Sequence, residues 1–222
     1  MSNFFLGILG LCAIIGYTAV NGWLASSTAQ SVAISQRQLE LSERPWLAVE
    51  QPTIIHPLTF DKRYGASAIA KFLMKNIGHS GAEHVATWAR LVACRWPSFN
   101  LAIAEQVRHC DKIRDGGLGE VSSDPMFTGF FLFPDEEMSV ENGVTLSEDE
   151  IHKAKGHFPG EAPEIMIALV GCVDYQSELD KRHHQTRFAY ALAKRGGFVT
   201  MSPIGIHADL ETQQIPEGNS AD

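Results

Sequence analysis

No charged side chain occurs in the first 36 residues, and the first is Arg37. Residues 4–24 read FFLGILGLCAIIGYTAVNGWL. About 20 mostly apolar residues suffice for a helix to cross ~30 Å of hydrocarbon. The stretch is therefore expected to span a membrane, with the lipid bilayer as its partner. A cleaved signal peptide is the alternative, with Ser27 and Ala29 placed for cleavage before Gln30. The basic n-region such a peptide carries is missing, since Met1, Ser2 and Asn3 are all that precede the run. Tyr17 and Trp23 suit an anchor, because amphipathic rings settle at the bilayer interface.

Other absences narrow the chemistry. There is no G-x-S-x-G elbow, no G-x-x-x-x-G-K-[ST] loop, no H-E-x-x-H and no C-x-x-C. The glycine-rich stretch at 115–119 lacks the spacing of a phosphate cradle. No internal repeat is visible. Basic residues are outnumbered, 18 to 26, for a net charge of −8. That balance argues against nucleic acid as a partner. No cofactor is implied.

Gly and Pro are missing from 25–44. Ala25, Val32 and Leu39 recur every seven residues, as do Ile34 and Leu41, so this segment reads as a helical stalk. It is expected either to stand as a solvated helix or to self-associate. Proline disfavours helix at the residue before it, so Pro45 ends the stalk.

The remaining ~170 residues are enough for one domain with a core. Strands are expected at 46–49 with 54–55, 67–75, 82–94, 127–133, 138–141, 163–175, 185–193 and 198–201. The run PEIMIALVGCVDY at 163–175 is the best candidate for a central strand, with Gly171 as a bulge. Residues 98–114 switch to helical spacing, with Ser98 as N-cap. Ser147 and Glu150 form a capping box that opens a short helix to Lys155. From 208 onward the chain is polar and is expected to be a disordered tail. The expected organisation is a transmembrane helix at 1–24, a stalk at 25–44, an antiparallel β-sandwich at 45–207 with one or two inserted helices, and the tail at 208–222.

Four stretches carry a resemblance: the stalk end ERPWLAV at 43–49, KNIGHSGA at 75–82, LFP at 132–134 and VGCVDY at 170–175. With them the chain resembles a broad set of uncharacterised bacterial membrane proteins with one N-terminal span, a helical stalk and an immunoglobulin-like β domain. The resemblance implies an anchored sandwich in the bacterial inner membrane and carries over no catalytic residue. It leaves open the side of the membrane on which the domain lies. Arg37 and Arg44 pull the C-terminal side inward, while the usual behaviour of signal-anchors pulls it outward.

Four cysteines are present. Cys12 falls in the span. Cys94 and Cys110 are candidates for a disulfide if the domain is outside, and three reduced thiols are the alternative. Of nine histidines, His183 and His184 follow Asp174 closely enough for the three to be a candidate metal site. A Cys172–His183 nucleophile pair is also conceivable. Trp46 and Trp88 read as core, and Trp96, beside Pro97, as a surface contact. Two functions are carried forward. The first is a membrane-anchored, non-enzymatic interaction or assembly module. The second is an envelope enzyme or metal-binding protein using the Asp174–His184 loop.

Overall fold

The structure is a computed structural model that describes residues 2–61, 65–95, 97–114, 129–155, 164–178, 181–197 and 199–221; for residues 2–15, 40 and 41 it describes the backbone alone. The chain divides into two compact units, Met1–Glu43 and Arg44–Asp222.

The first unit is one uninterrupted helix, α1 (Ser2–Glu43, 42 residues). The stretches expected as span and stalk thus lie in a single helix, as the absence of Gly-Pro punctuation in 25–43 allows. Among the described residues no helix is long and apolar enough to cross a membrane. Residues 4–15 of the expected span lie outside the described side chains.

The second unit is mainly β. Its elements, in order, are β1 (Leu47–Val49), β2 (Thr53–Asp61), β3 (Gly65–Asn76), β4 (Ala82–Cys94), α2 (Asn100–Arg114), β5 (Phe130–Leu132), β6 (Glu137–Leu146), α3 (Glu148–Ala154), β7 (Ile165–Ser177), β8 (His183–Lys194), β9 (Thr200–Met201), β10 (Gly205–His207), β11 (Leu210–Gln214) and β12 (Ser220–Ala221). Among the described residues all pairings are antiparallel. In the first sheet, β3 is flanked by β6 along one edge and by β1 and β2 along the other, with β10 beyond β2. The second runs β11-β8-β7-β4-β5, with β12 also on β8 and β9 on β7.

The two sheets face each other. Ala68, Ala70 and Leu146 of the first share a core with Leu91, Ile167 and Leu192 of the second. Phe72 and Met74 likewise meet Val173, Tyr175 and Phe188. A third layer covers the other face of the second sheet, where Ala102 of α2 packs with Val92, Met166, Val170 and Ala189. This explains the unbroken apolar run of β7: a strand buried on both faces has no polar side to alternate with.

Gly171 is not a bulge. It pairs in register with Ala89 and Phe188. A Cβ there would collide with the Trp88 carbonyl oxygen and the Phe188 ring, so its role is close approach. The tail is not disordered either. Residues 210–214 form β11 on β8, and the Thr212 hydroxyl donates to the Pro52 carbonyl at 2.6 Å. Buried Ile215 and the Asn219 side chain, which accepts from the Ala189 amide at 3.3 Å, hold the rest. Few apolar residues are needed where β8 already supplies backbone partners.

Candidate functional site

Strand alternation sends the even-numbered residues of β7 toward α2. Cys172, Asp174 and Gln176 lie in that row. Across the register stand Arg187, Gln185 and His183 of β8. The face is apolar at one end and polar at the other, and α2 lies over it.

Three interactions seat α2. The buried Gln106 carboxamide nitrogen lies 3.1, 2.6 and 3.0 Å from the carbonyl oxygens of Gly171, Phe188 and Gly218. The Gln185 amide donates to the Cys110 carbonyl at 2.6 Å. A disulfide joins Cys110 to Cys172, with their Cα atoms 6.1 Å apart.

The disulfide is therefore not the expected Cys94–Cys110 bond, and Cys94 is free and buried. The reason is helix length. Cys94 sits beside the Ala102 backbone, and Cys110 lies eight residues further along α2, about 12 Å away at 1.5 Å per residue. That exceeds the Cα separation a disulfide tolerates. Burial pushes the Cys94 thiol up to about 11, only partly offset by the Ala102 backbone. Cys172, being bonded, is not available as a nucleophile for His183.

Asp174 is buried, at 1 % exposure. His183 Nδ1 lies 2.7 Å from its Oδ2, and the Gln185 amide donates to its Oδ1 at 3.1 Å. Burial lifts the Asp174 carboxyl above its ordinary range, against the pull of His183, Gln185 and Arg114. On the other side of the imidazole, Gln176 Nε2 is 2.6 Å from His183 Nε2. With Nδ1 donating to the carboxylate, Nε2 accepts from that amide, and the ring is held at both ends. Among the described residues the group at Nε2 is the Gln176 amide rather than a hydroxyl or thiol that could serve as a nucleophile. Alongside, Arg187 and Arg114 donate to Asp111 Oδ1 at 2.6 and 2.8 Å.

Asp174 and His183 thus lie side by side, and His184 does not join them. Consecutive strand residues point to opposite faces, and His184 packs against the Tyr175 ring, centroids 5.8 Å apart, on the core side. Both histidines belong to β8 rather than to a loop. Among the described residues no group of three or more His, Cys, Asp or Glu is placed to hold a metal ion. Cavities of 260, 290 and 440 Å³ open elsewhere, and neither Asp174 nor His183 lines any of the three.

Two clusters escaped the sequence reading. One joins β4, α2 and α3. Glu105 lies 2.7 Å from Arg108, 3.7 Å from Arg90 and 3.3 Å from His109, and Arg90 also pairs with Glu150 at 2.6 Å. His109 stacks on Trp88, ring centroids 4.6 Å apart, and Trp88, expected as core, is only partly buried. Burial first, then Arg108 and Arg90, lower the affinity of His109 for a proton. Its buried Nδ1 has no hydrogen-bond partner among the described residues. The E-x-x-R-H spacing on α2 was the available signal, legible only once 100–114 is wound as a helix.

The other cluster surrounds buried Asn76. Its Oδ1 accepts from the Trp46 and Gly78 amides at 3.3 and 3.0 Å, and its Nδ2 donates to the Ser80 and Leu132 carbonyls at 2.8 and 3.0 Å. Around it, Ile77, Phe130, Phe131 and Phe133 remain exposed. Trp46 is half-buried, with the Arg44 guanidinium 3.7 Å above its ring. Trp96 lies outside the described residues. Tyr17 and Trp23 are 71 % and 70 % exposed on α1.

Compared with known proteins, the chain matches no family model, no curated protein and no solved structure.

Proposed function

We propose that the chain is a single-pass membrane protein whose N-terminal helix tethers an immunoglobulin-like β-sandwich, and that the sandwich is a non-enzymatic interaction or assembly module on the outer side of a bacterial inner membrane. The observation that carries this reading is α1, a 42-residue helix with no charge ahead of Arg37. Residues 4–24 supply about 30 Å of apolar helix, the thickness of the hydrocarbon core. The exposure of Tyr17 and Trp23 suits rings lying in the interface. A helix is marginal in water unless its apolar face is covered, because nucleation is costly, and lipid around residues 4–24 would supply that cover.

The disulfide supports the outer side. Structural disulfides persist in oxidising compartments and are rare in the cytosol. The occupancy of both His183 nitrogens supports a non-enzymatic role for the polar face, with Asp174, Gln185 and Arg187 holding α2 and the β7–β8 pair in place.

The test is fractionation with crosslinking in native membranes. The full chain should stay in carbonate-washed membranes, and a form beginning at residue 30 should not. A photocrosslinking residue introduced at an exposed sandwich position should give discrete adducts with a protein of the same membrane. A full chain that washes off, or one that gives no adduct at any exposed position, would overturn the reading.

A further inference from the structure

We infer that the end of the sandwich bearing Ile77, Phe131 and Phe133 is a docking surface for an extended segment of a partner protein in which apolar and basic side chains alternate. This rests on the reading of the chain as an interaction module and adds the surface and the chemistry of what it takes.

The surface is built rather than incidental. Among the described residues β5 stands last in its sheet and pairs with β4 at Ala82 and Val85 alone. Leu132 turns into the core, while Phe130, Phe131 and Phe133 stay in water, the last at 62 % exposure. The Phe131 and Phe133 rings lie 4.5 Å apart and form one platform. Gly81 makes room for it, since a Cβ there would run into the Phe131 ring. Beneath lies Asn76, whose backbone carbonyl accepts from the Asp135 amide at 2.8 Å and whose amide donates to the Glu136 carbonyl at 3.1 Å. The platform therefore rests on a fully bonded, buried hub. Clustered large apolar side chains on such a base mark an interaction site more often than single exposed ones do.

Charge selects the occupant. Asp135 and Glu136 follow the platform directly. Glu137 is already paired with Lys75 at 2.8 Å, and Asp135 and Glu50 act on that same ammonium. The rim is thus acidic. A second copy would set the same acidic rim against itself, because an isologous contact places like patches together. Anionic lipid head groups meet the same repulsion. A basic, apolar strand meets none: its apolar side chains cover the rings, its cations on the opposite side reach Asp135 and Glu136, whose carboxylate also accepts from the Phe133 amide at 2.9 Å, and its main chain adds to the edge of β5 at Phe131. No strand lies beyond β5 among the described residues.

The test uses the full chain in nanodiscs and two labelled octapeptides, one alternating valine with lysine and the other valine with glutamate. The Val–Lys peptide should bind saturably, with affinity falling as salt rises. Phe133→Ser should weaken it at least tenfold, and Asp135→Asn, which tolerates the left-handed backbone there, about threefold. Ile206→Ser, a highly exposed change on β10, should leave it unaltered. Equal binding of both peptides, or an unaltered Phe133→Ser, overturns the proposal. So does self-association that Phe133→Ser abolishes, or quenching of a label at residue 133 by lipid-borne quencher. If Ile206→Ser is the change that removes binding, this surface falls and the interaction-module reading stands. If neither peptide binds and no exposed position crosslinks in membranes, both fall.

Discussion

The Trp46 amide donates to the side-chain oxygen of Asn76 at 3.3 Å. Thirty residues separate the two, and the bond ties the residue before β1 to the end of β3. Asn76 makes three further side-chain bonds, to Gly78, Ser80 and Leu132. Asn76→Ala should destabilise the domain by about 3 kcal/mol or more, because buried backbone groups are left without partners at about 1–3 kcal/mol each. Asn76→Asp keeps the acceptor and loses the two donors, so its cost should be smaller unless the buried charge dominates. Denaturant unfolding of the two variants measures both.

Gly171 and Gly143 make a matched pair of strand glycines. A Cβ at 171 strikes the Trp88 carbonyl and the Phe188 ring, while one at 143 meets nothing within 4 Å. Gly171→Ala should cost about 1–3 kcal/mol through overpacking. Gly143→Ala should be neutral or stabilise by about 0.4–1 kcal/mol through the unfolded chain. Thermal melts of the two single variants read the contrast directly.

Asp174 gives stability a definite pH dependence. Burial raises its carboxyl above the ordinary value of 3.8. Between that value and the raised one, the folded chain holds more protons than the unfolded chain. Stability from this group is therefore full at low pH and falls as pH rises through the window. Asp174→Asn should remove that slope. His109 works in the opposite sense: its proton affinity is lowered from 6.5, so its contribution is lost as pH falls below 6.5. His109→Gln should flatten that part of the profile. Unfolding midpoints taken from pH 4 to 7 separate the two windows.

Cysteine reactivity should follow burial and pairing. In the native domain Cys94, with its thiol pushed up to about 11, should alkylate far more slowly at pH 7 than a free thiol, because the thiolate is the nucleophile. Unfolding without reductant should expose Cys94 and not Cys110 or Cys172. Reductant should then add those two. Peptide mass mapping after alkylation assigns each site.

Much of the sandwich was legible from local pattern. Ser147 and Glu150 form both bonds of the capping box, as the S-x-x-E spacing requires. The run through 165–175 is the most buried strand, because no polar residue interrupts it before Asp174. β6 was underestimated, since Asn142-Gly143 reads as a turn. In the structure β3 pairs with that strand from Ala66 to Lys75, and the ladder carries it through. β11 was missed because Thr212 is its only buried residue and its stability comes from β8.

The site was legible in part. Asp174 and His183 could be paired from sequence, because a hairpin between 175 and 185 brings them to neighbouring ladder positions. His184 fell away once alternation was fixed. The Cys110–Cys172 bond depends on where α2 crosses β7, which no spacing encodes. The aromatic end depends on which side of β5 turns inward, and a run as uniform as FFLF does not reveal that.

Protease access to the sandwich in intact spheroplasts, read beside non-reducing electrophoresis of the same sample, tests the central claim most directly. A domain tethered by residues 4–24 and displayed on the oxidising side should be digested without lysis, leave a short membrane-bound fragment, and carry the Cys110–Cys172 bond. A domain protected until lysis with all its thiols reduced, or a chain recovered wholly in the soluble fraction, would contradict it.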